Sequence, residues 1–401
     1  LDWPLLLLLV MVLVSLYTTF DLSFSLPKVA GVVYGIAVYY AVVAAGRRSA
    51  HHLAWATAAW LALGVGIAAF SLVGTQWPAK IPLLDVVIAY LPAGLVSLPG
   101  AAEGFNPNQV AGVLLWVTPA ALALGVASSK WQVASKSKSK SKSKSKSKSA
   151  TCHLPPATCY LLPLLAFFLT VVLLLTQSRS AWAGLLVAAG GMTFMANPRY
   201  LRHPRLVFIA VVGLLLLLVG LVFASSRDFS IVSLRGIETA PTDPIPRPPT
   251  LNSQSPTISL AGRVEIWSRA IYAIQDFPLT GMGIGTFRRV IQTAYPLSLI
   301  DPTADIAHAH NHLLQAALDL GVPGLVAYLA LWLGAAMMLG RSWPAATVRW
   351  SRALVIGLAG AWLASFVYGL TDTVALGAKP GFLFWYWLGL VAALHSRRHQ
   401  K

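Results

Sequence analysis

The chain has 401 residues, 57% hydrophobic and 11% charged, with a mean hydropathy of +0.68 and a formal charge of +17. Soluble domains carry about 25% charged residues, so this composition excludes an ordinary soluble globule and points to a membrane protein. The positive charge does not indicate a nucleic-acid partner: seven of the charges form one Ser-Lys repeat and the others fall in short loops between apolar runs, a placement that reflects lipid topology.

A bilayer crossing needs about 20 predominantly apolar residues. Trp3–Phe20 is the first such run. It has neither the basic start nor the small-residue cleavage site of a signal peptide. The chain opens on Leu1 and not on Met, so a native chain extending further upstream is expected. Val29–Ala45 and Leu53–Val73 are the second and third crossings. Leu83–Leu98 is short, contains Asp85, Pro92 and Gly94, and is read as an interfacial or re-entrant helix. Val110–Ala127, Leu161–Thr176, Trp182–Ala196 and Val207–Ala224 follow as crossings. After the polar stretch Ser225–Ile306 come Val322–Leu339, Ala353–Leu370 and Phe382–Leu394, which makes ten.

The expected fold is therefore all-α, a polytopic transmembrane helix bundle with a large extracytoplasmic loop containing short helices. Residues 1–134 would hold N-terminal membrane helices, 135–156 a cytoplasmic low-complexity linker, 157–224 further membrane helices, 225–321 the extracytoplasmic loop, and 322–401 the C-terminal membrane helices. With both termini in the cytoplasm, 19 of the 30 basic residues and only Asp2 of the 13 acidic ones lie on the cytoplasmic side, as basic residues near crossings resist translocation. Counting Leu83–Leu98 as a crossing would put the lysine repeat outside. Ser135–Ser149 alternates Ser and Lys without an apolar face, so it reads as a solvated, disordered linker. Cys152 and Cys159 have no other cysteine near them, which leaves neither a disulfide framework nor a zinc site.

Three stretches then share the outer side. Thr176-Gln-Ser-Arg-Ser-Ala-Trp182 is a tight connection between two crossings. Arg179 there is either an interfacial anchor or an anion site, since guanidinium offers fixed paired donors for phosphate. Gly262–Pro278 has apolar residues at helical spacing (Ile266, Ala270, Ile271, Ile274) and reads as a helix lying on the membrane. Arg263 near its start opposes the helix dipole, so an anionic partner is expected: a loop carboxylate such as Glu265 or Asp276, or a ligand. The following Gly281-Met-Gly-Ile-Gly285 run lacks the strand and the Lys-Ser/Thr of a nucleotide loop and reads as a tight turn. Arg288 and Arg289 beyond it are candidate headgroup contacts.

The third stretch, Ala307–Gly324, reads AHAHNHLLQAALDLGVPG. It sets His308, His310, Asn311 and His312 where a polar loop meets an apolar run. Ionisable groups at such a boundary are functional candidates, and histidine exchanges a proton near neutral pH. His308 and His312 are one helical turn apart but lack the intervening Glu and the third acidic ligand of a zinc motif, so no metal and no cofactor are expected. His310 is the candidate general base, with Asn311 and Gln315 setting local geometry; the alternative is a polar interface residue.

With these residues in place, the chain resembles the O-antigen ligase and polymerase superfamily. The signature His-Asn/Ser/Gln, nine residues, Gly, two residues, Gly/Thr/Tyr is met by His310, Asn311, Gly321 and Gly324. Ser178–Trp182, the Gly262–Phe287 block and Asn106–Ala111 are also similar to that family, in the same order along the chain. The resemblance implies a bacterial inner-membrane glycosyltransferase of the GT-C type. Its active site would face the periplasm, its donor would be a glycan on undecaprenyl diphosphate, and its acceptor would be a glycan or lipid resembling lipid A-core. It further implies a metal-independent, inverting transfer in which Arg179 and Arg263 grip the diphosphate and His310 deprotonates the acceptor hydroxyl. Asn311, Arg288 and Arg289 are candidate substrate contacts, and membrane lipids are expected neighbours. Family members usually have about two more crossings, and the lysine repeat is not a family feature. A polymerase, a protein O-oligosaccharyltransferase and a transporter of the same lipid-linked sugar are the competing readings. Transporters often show paired halves with broken helices, and this sequence has no clear internal repeat.

Overall fold

The computed structural model describes residues 1–78, 80–91, 104–139, 156–197, 260–301 and 304–398. Among them the chain is helical without a strand; one isolated parallel bridge joins Thr75 and Phe105. The helices are α1 (Asp2–Thr18), α2 (Leu22–Arg48), α3 (Ala50–Gly74), α4 (Pro82–Ile88), α5 (Pro107–Leu114), α6 (Thr118–Ser139), α7 (Pro156–Leu175), α8 (Arg179–Ala196), α9 (Leu260–Asp276), α10 (Phe287–Ala294), α11 (His312–Ala345), α12 (Arg349–Gly369) and α13 (Phe382–Arg397).

This is an all-α membrane bundle. Helices α2, α3, α11 and α12 are each long and apolar enough to cross a bilayer, and α5 with the first part of α6 makes a fifth candidate, bent by 45°. Of the remaining expected crossings that are described, α1, the Tyr160–Leu175 part of α7 and the 16-residue α13 are shorter helices, and the 18-residue α8 is not among the candidates. Val207–Ala224 lies outside the described residues, as do Cys152 and most of the Ser-Lys repeat. Helix α6 continues to Ser139, so the first five residues of that repeat are helical and not an extended linker. Among the described residues of the expected interfacial segment, Leu83 to Ile88 belong to the helix Pro82–Ile88, and residues 92–98 lie outside the described residues.

Two boundaries differ from the sequence reading for clear physical reasons. The expected continuous crossing Val110–Ala127 is broken between Leu114 and Thr118. Pro119 lacks an N–H and its ring excludes the carbonyl four residues back, so the helix cannot run through. Helix α11 starts at His312, ten residues before the expected Val322, because Asn311 caps it: its Oδ1 accepts from Leu313 N (2.9 Å) and Leu314 N (3.1 Å). Such caps satisfy amides that the first turn leaves open.

The bundle buries one large apolar core, in which Trp116, Trp332, Phe384 and Trp387 interleave with ring centroids 5.0–6.3 Å apart. A second, smaller core lies under α9 and α10: Ile266, Ala270, Met282, Phe287, Ile291 and Ala309 pack with Leu318 of α11. The two meet where α11 breaks. Gly321 has φ +69°, and a Cβ there would lie 2.6 Å from Leu279 O. The turn after α9 takes the carbonyl and amide freed at this break: Met282 N donates to Leu318 O (2.8 Å) and Val322 N to Pro278 O (2.7 Å). Backbone thus lies directly on backbone, which only glycine at 321 permits.

Candidate functional site

The loop that enters α11 is held from three sides. Ala309 N donates to Gln315 Oε1 (2.8 Å), Gln315 Nε2 donates to Asp319 Oδ1 (2.9 Å), and the same oxygen accepts from Gly285 N (2.8 Å). Gln315 and Asp319 are four residues apart and share one face of α11. Through them the histidine loop, the helix and the Gly281–Gly285 turn form one rigid unit. Both polar side chains are buried, so each hydrogen bond also removes a desolvation penalty.

His310 closes that loop in a left-handed conformation (φ +50°), which non-glycine residues enter only at a cost. Its N–H donates to His308 Nδ1 (3.2 Å), and the two rings meet edge to face with centroids 4.4 Å apart. Both rings face Asp372, from the loop between α12 and α13: Oδ1 lies 3.4 Å from His310 Nδ1 and 3.7 Å from His308 Nε2. These distances exceed those of a well-formed hydrogen bond. Burial acts to raise the Asp372 carboxyl, but His310 first, then His308 and Arg263, outweigh it and hold the group at about 2. His308 is driven the other way. Burial chiefly, then His310, push it down to about 4 against the pull of Asp372.

The cations come from three further elements. Arg263 lies on α9, Arg179 opens α8 and is exposed, and Lys80 lies on the connection between α3 and α4. Gln177, buried at φ +49°, ties two of these segments together: its Oε1 accepts from Lys80 N (2.8 Å) and its Nε2 donates to Asp85 Oδ1 (3.2 Å). The Lys80 ammonium is pushed down by partial burial first, then by the charges of Arg179 and Arg263, and pulled back by Asp372. Lys80 therefore lies within electrostatic reach of Arg179, Arg263 and Asp372, and Arg263 within reach of Asp372. Among the described residues, Arg179, Arg263 and Lys80 have no carboxylate within 4.0 Å. Arg263 Nε and Asp372 Oδ2 are buried without a hydrogen-bond partner there.

The carboxylates suggested for Arg263 are engaged elsewhere. Glu265 accepts from Ser298 N (2.5 Å) and Leu299 N (2.9 Å), and Asp276 accepts from Tyr295 Oη (2.7 Å). Arg288 and Arg289 are answered differently. Arg288 Nε donates to Asp305 Oδ1 (2.5 Å) while Nη2 pairs with Oδ2. Arg289 lies 3.9 Å from Asp21, with its guanidinium 4.9 Å from the Phe24 ring centroid. Asn311 uses its oxygen to cap α11 and its amide to donate to Leu370 O (3.1 Å). His312 points into the bundle, against Tyr328 Oη (3.0 Å), Trp332 and Phe366. Gly369 makes room for it, since a Cβ there would lie 2.8 Å from the ring.

Residues 164–329 match the family model described as O-antigen ligase. Over that segment the chain is similar to the O-antigen ligase superfamily. A comparison with curated proteins finds no match. The family implies a membrane glycosyltransferase acting on lipid-linked glycan and acceptor substrates. The matched segment carries Arg179, Arg263, His308 and His310, whereas Lys80 and Asp372 lie outside it.

Sequence reasoning passed over Asp372, Lys80 and Gln177. For Asp372 a signal exists: Thr371-Asp372-Thr373 follows directly on an apolar run in a chain with 13 acidic residues, where a carboxylate needs a partner or a function. By distance, His308, His310 and Asp372 offer three ligand atoms within 4.8 Å of one another, a grouping that a metal ion accepts. The hydrogen bonding argues otherwise. His308 Nδ1 accepts an N–H, so the neutral ring carries its proton on Nε2. That is the atom facing Asp372, and it would have to lose its proton to become a ligand.

Proposed function

We propose that the chain transfers a glycan from undecaprenyl diphosphate to an acceptor hydroxyl at the non-cytoplasmic face of the bacterial inner membrane, by a metal-independent inverting displacement. One observation carries the reading: two arginines without carboxylate partners lie within electrostatic reach of Lys80, and one of them, Arg263, within reach of a histidine–carboxylate pair. Like charges held together without counter-charge are unfavourable, and a diphosphate, with one negative charge on each phosphate, relieves this.

In this reading the Nδ1 side of His310 faces Asp372, which leaves Nε2 free to take a proton. As the acceptor oxygen attacks the anomeric carbon, its proton passes to His310 Nε2. The new carbon–oxygen bond forms opposite the bond to phosphate, which breaks with its electron pair on the diphosphate oxygen. Arg179 and Arg263 receive that developing charge, the contribution that fixed donors make best. Asp372 stabilises the imidazolium that results. Asn311 has a positioning role, through the start of α11, and the Arg288–Asp305 pair props the loop wall.

The test is transfer from a lipid-linked oligosaccharide by the purified full chain in bilayer vesicles, with lipid A-core and a second lipid-linked repeat as acceptors. His310→Ala should lower transfer by about 10²–10⁴-fold while the donor still binds, and a chelator should leave the wild-type rate unchanged. Normal transfer by His310→Ala would defeat the assignment of the base.

A further inference from the structure

We propose that His308 is the positioning residue of this site: as a single neutral tautomer it accepts the His310 main-chain N–H at Nδ1 and turns its Nε2 proton toward Asp372, and so fixes both members of the pair. The proposal rests on the reading of His310 as the base. His308 is 7% exposed and makes its contacts from the interior side of the loop. Its Nδ1 lies 3.2 Å from His310 N and its Nε2 lies 3.7 Å from Asp372 Oδ1. An imidazole nitrogen accepts a hydrogen bond only when it carries no proton. The bond to His310 N therefore selects the tautomer, and the tautomer in turn presents a donor to the carboxylate.

The consequence for His310 is geometric. Its φ of +50° needs an external restraint. The hydrogen bond from its main-chain N–H to His308 Nδ1 supplies one at the residue itself, while the hydrogen bond from Ala309 N to Gln315 Oε1 holds the residue before it. Without His308 the ring of His310 would be free to leave Asp372. The charged and titratable groups around His308 are His310, Asp372, Arg263 and Lys28. Three of these oppose a proton on its second nitrogen, and the carboxylate alone favours it. A ring that stays neutral while its neighbour takes and releases a proton keeps the two histidines in different roles.

Two measurements on the full-length protein test this. The first is ¹⁵N-imidazole NMR of the detergent-solubilised protein at pH 7, with His308 assigned from a His308→Asn sample. The Nε2-protonated neutral tautomer is expected; the Nδ1-protonated tautomer or an imidazolium would overturn the proposal. The second is glycan transfer in membranes of the native host, which supply donor and acceptor, from cells carrying each variant in place of the wild type. His308→Ala should lower the maximal rate about 10- to 100-fold with the donor KM within about threefold of wild type, because orientation and not binding is lost. His308→Asn, whose Oδ1 can replace Nδ1 as acceptor, should recover most of that loss, and His308→Gln should not. Equal impairment of the Ala and Asn variants, or no impairment in either, would overturn the proposal. Transfer by His310→Ala in the same membranes would refute the base reading itself, whatever the tautomer of His308.

Discussion

Two pairs of arginines stand around the histidine loop, and they are answered differently. Arg288 forms a two-pronged pair with Asp305, and Arg289 rests between Asp21 and the face of Phe24. Arg179 and Arg263 have no carboxylate within 4.0 Å among the described residues, although Glu265 sits two positions from Arg263. Glu265 is instead turned to the main-chain amides of Ser298 and Leu299. A guanidinium already paired with a carboxylate is neutralised and rigid, and it serves the fold. One held without a counter-charge beside a second cation is poised for an anion.

The sharpest way to break this contrast is to neutralise each pair. Arg179→Gln with Arg263→Gln should weaken binding of undecaprenyl diphosphate by about 100-fold, at roughly 1.4 kcal/mol per tenfold. Arg288→Gln with Arg289→Gln should change it by less than about threefold and instead lower the unfolding temperature of the loop, since surface ion pairs are worth about 0–1 kcal/mol each. Binding to immobilised lipid and a thermal scan of the same samples separate the two effects. Equal affinity losses in the two double variants would end the distinction.

Much of this neighbourhood was legible in the sequence, because Arg179, Arg263 and His310 sit in short patterns of unusual residue types beside apolar runs. What was not legible follows from tertiary contacts. Whether an arginine is neutralised depends on which carboxylate reaches it. In sequence Asp305 and Asp21 are 17 and 268 residues from the arginines they answer, while the adjacent Glu265 turns away. Asp372 is 62 residues beyond His310, and no local rule couples a loop carboxylate to a histidine on another connection. The break at Pro119 and the cap at Asn311 were different in kind. Both are local signals, a missing N–H and a side-chain acceptor, and both were outweighed by the pull of a long apolar run on the placement of boundaries. The number of crossings was least accessible, because α13 and the apolar part of α7 are apolar runs that stop short of the about 20 residues a crossing needs.

The contrast sharpens further at Asp372, a carboxylate that answers histidines with Arg263 in reach. Asp372→Asn keeps the shape and removes the charge. We expect the maximal transfer rate to fall about 10- to 100-fold with donor affinity nearly unchanged, because the loss falls on the imidazolium formed during reaction. If instead donor affinity rose strongly, Asp372 would act mainly as the partner of Arg263, and the unpaired status of that arginine would have to be given up.

The smallest effect is a matter of pH, and its sign follows from the same loop. His308 is lowered from 6.5 to about 4, so below about pH 6.5 the unfolded chain takes up a proton that the folded site refuses. Its contribution favours the folded state fully above that pH and is lost progressively down to about pH 4, a change on the order of 3 kcal/mol. Asp372, lowered from 3.8 to about 2, adds stability above about pH 4 and loses it only at still lower pH. The two windows barely overlap, but other buried groups share the upper one, so in a scan of unfolding temperature between pH 7 and 4.5 the His308 contribution is read as the difference between the wild type and His308→Asn. As pH falls across that range the wild-type midpoint should lose ground against that of His308→Asn, while the acid limb below pH 4 stays in place in both. A slope in His308→Asn equal to that of the wild type would shift the titration to another group and remove the electrostatic distinction between the two histidines that face Asp372.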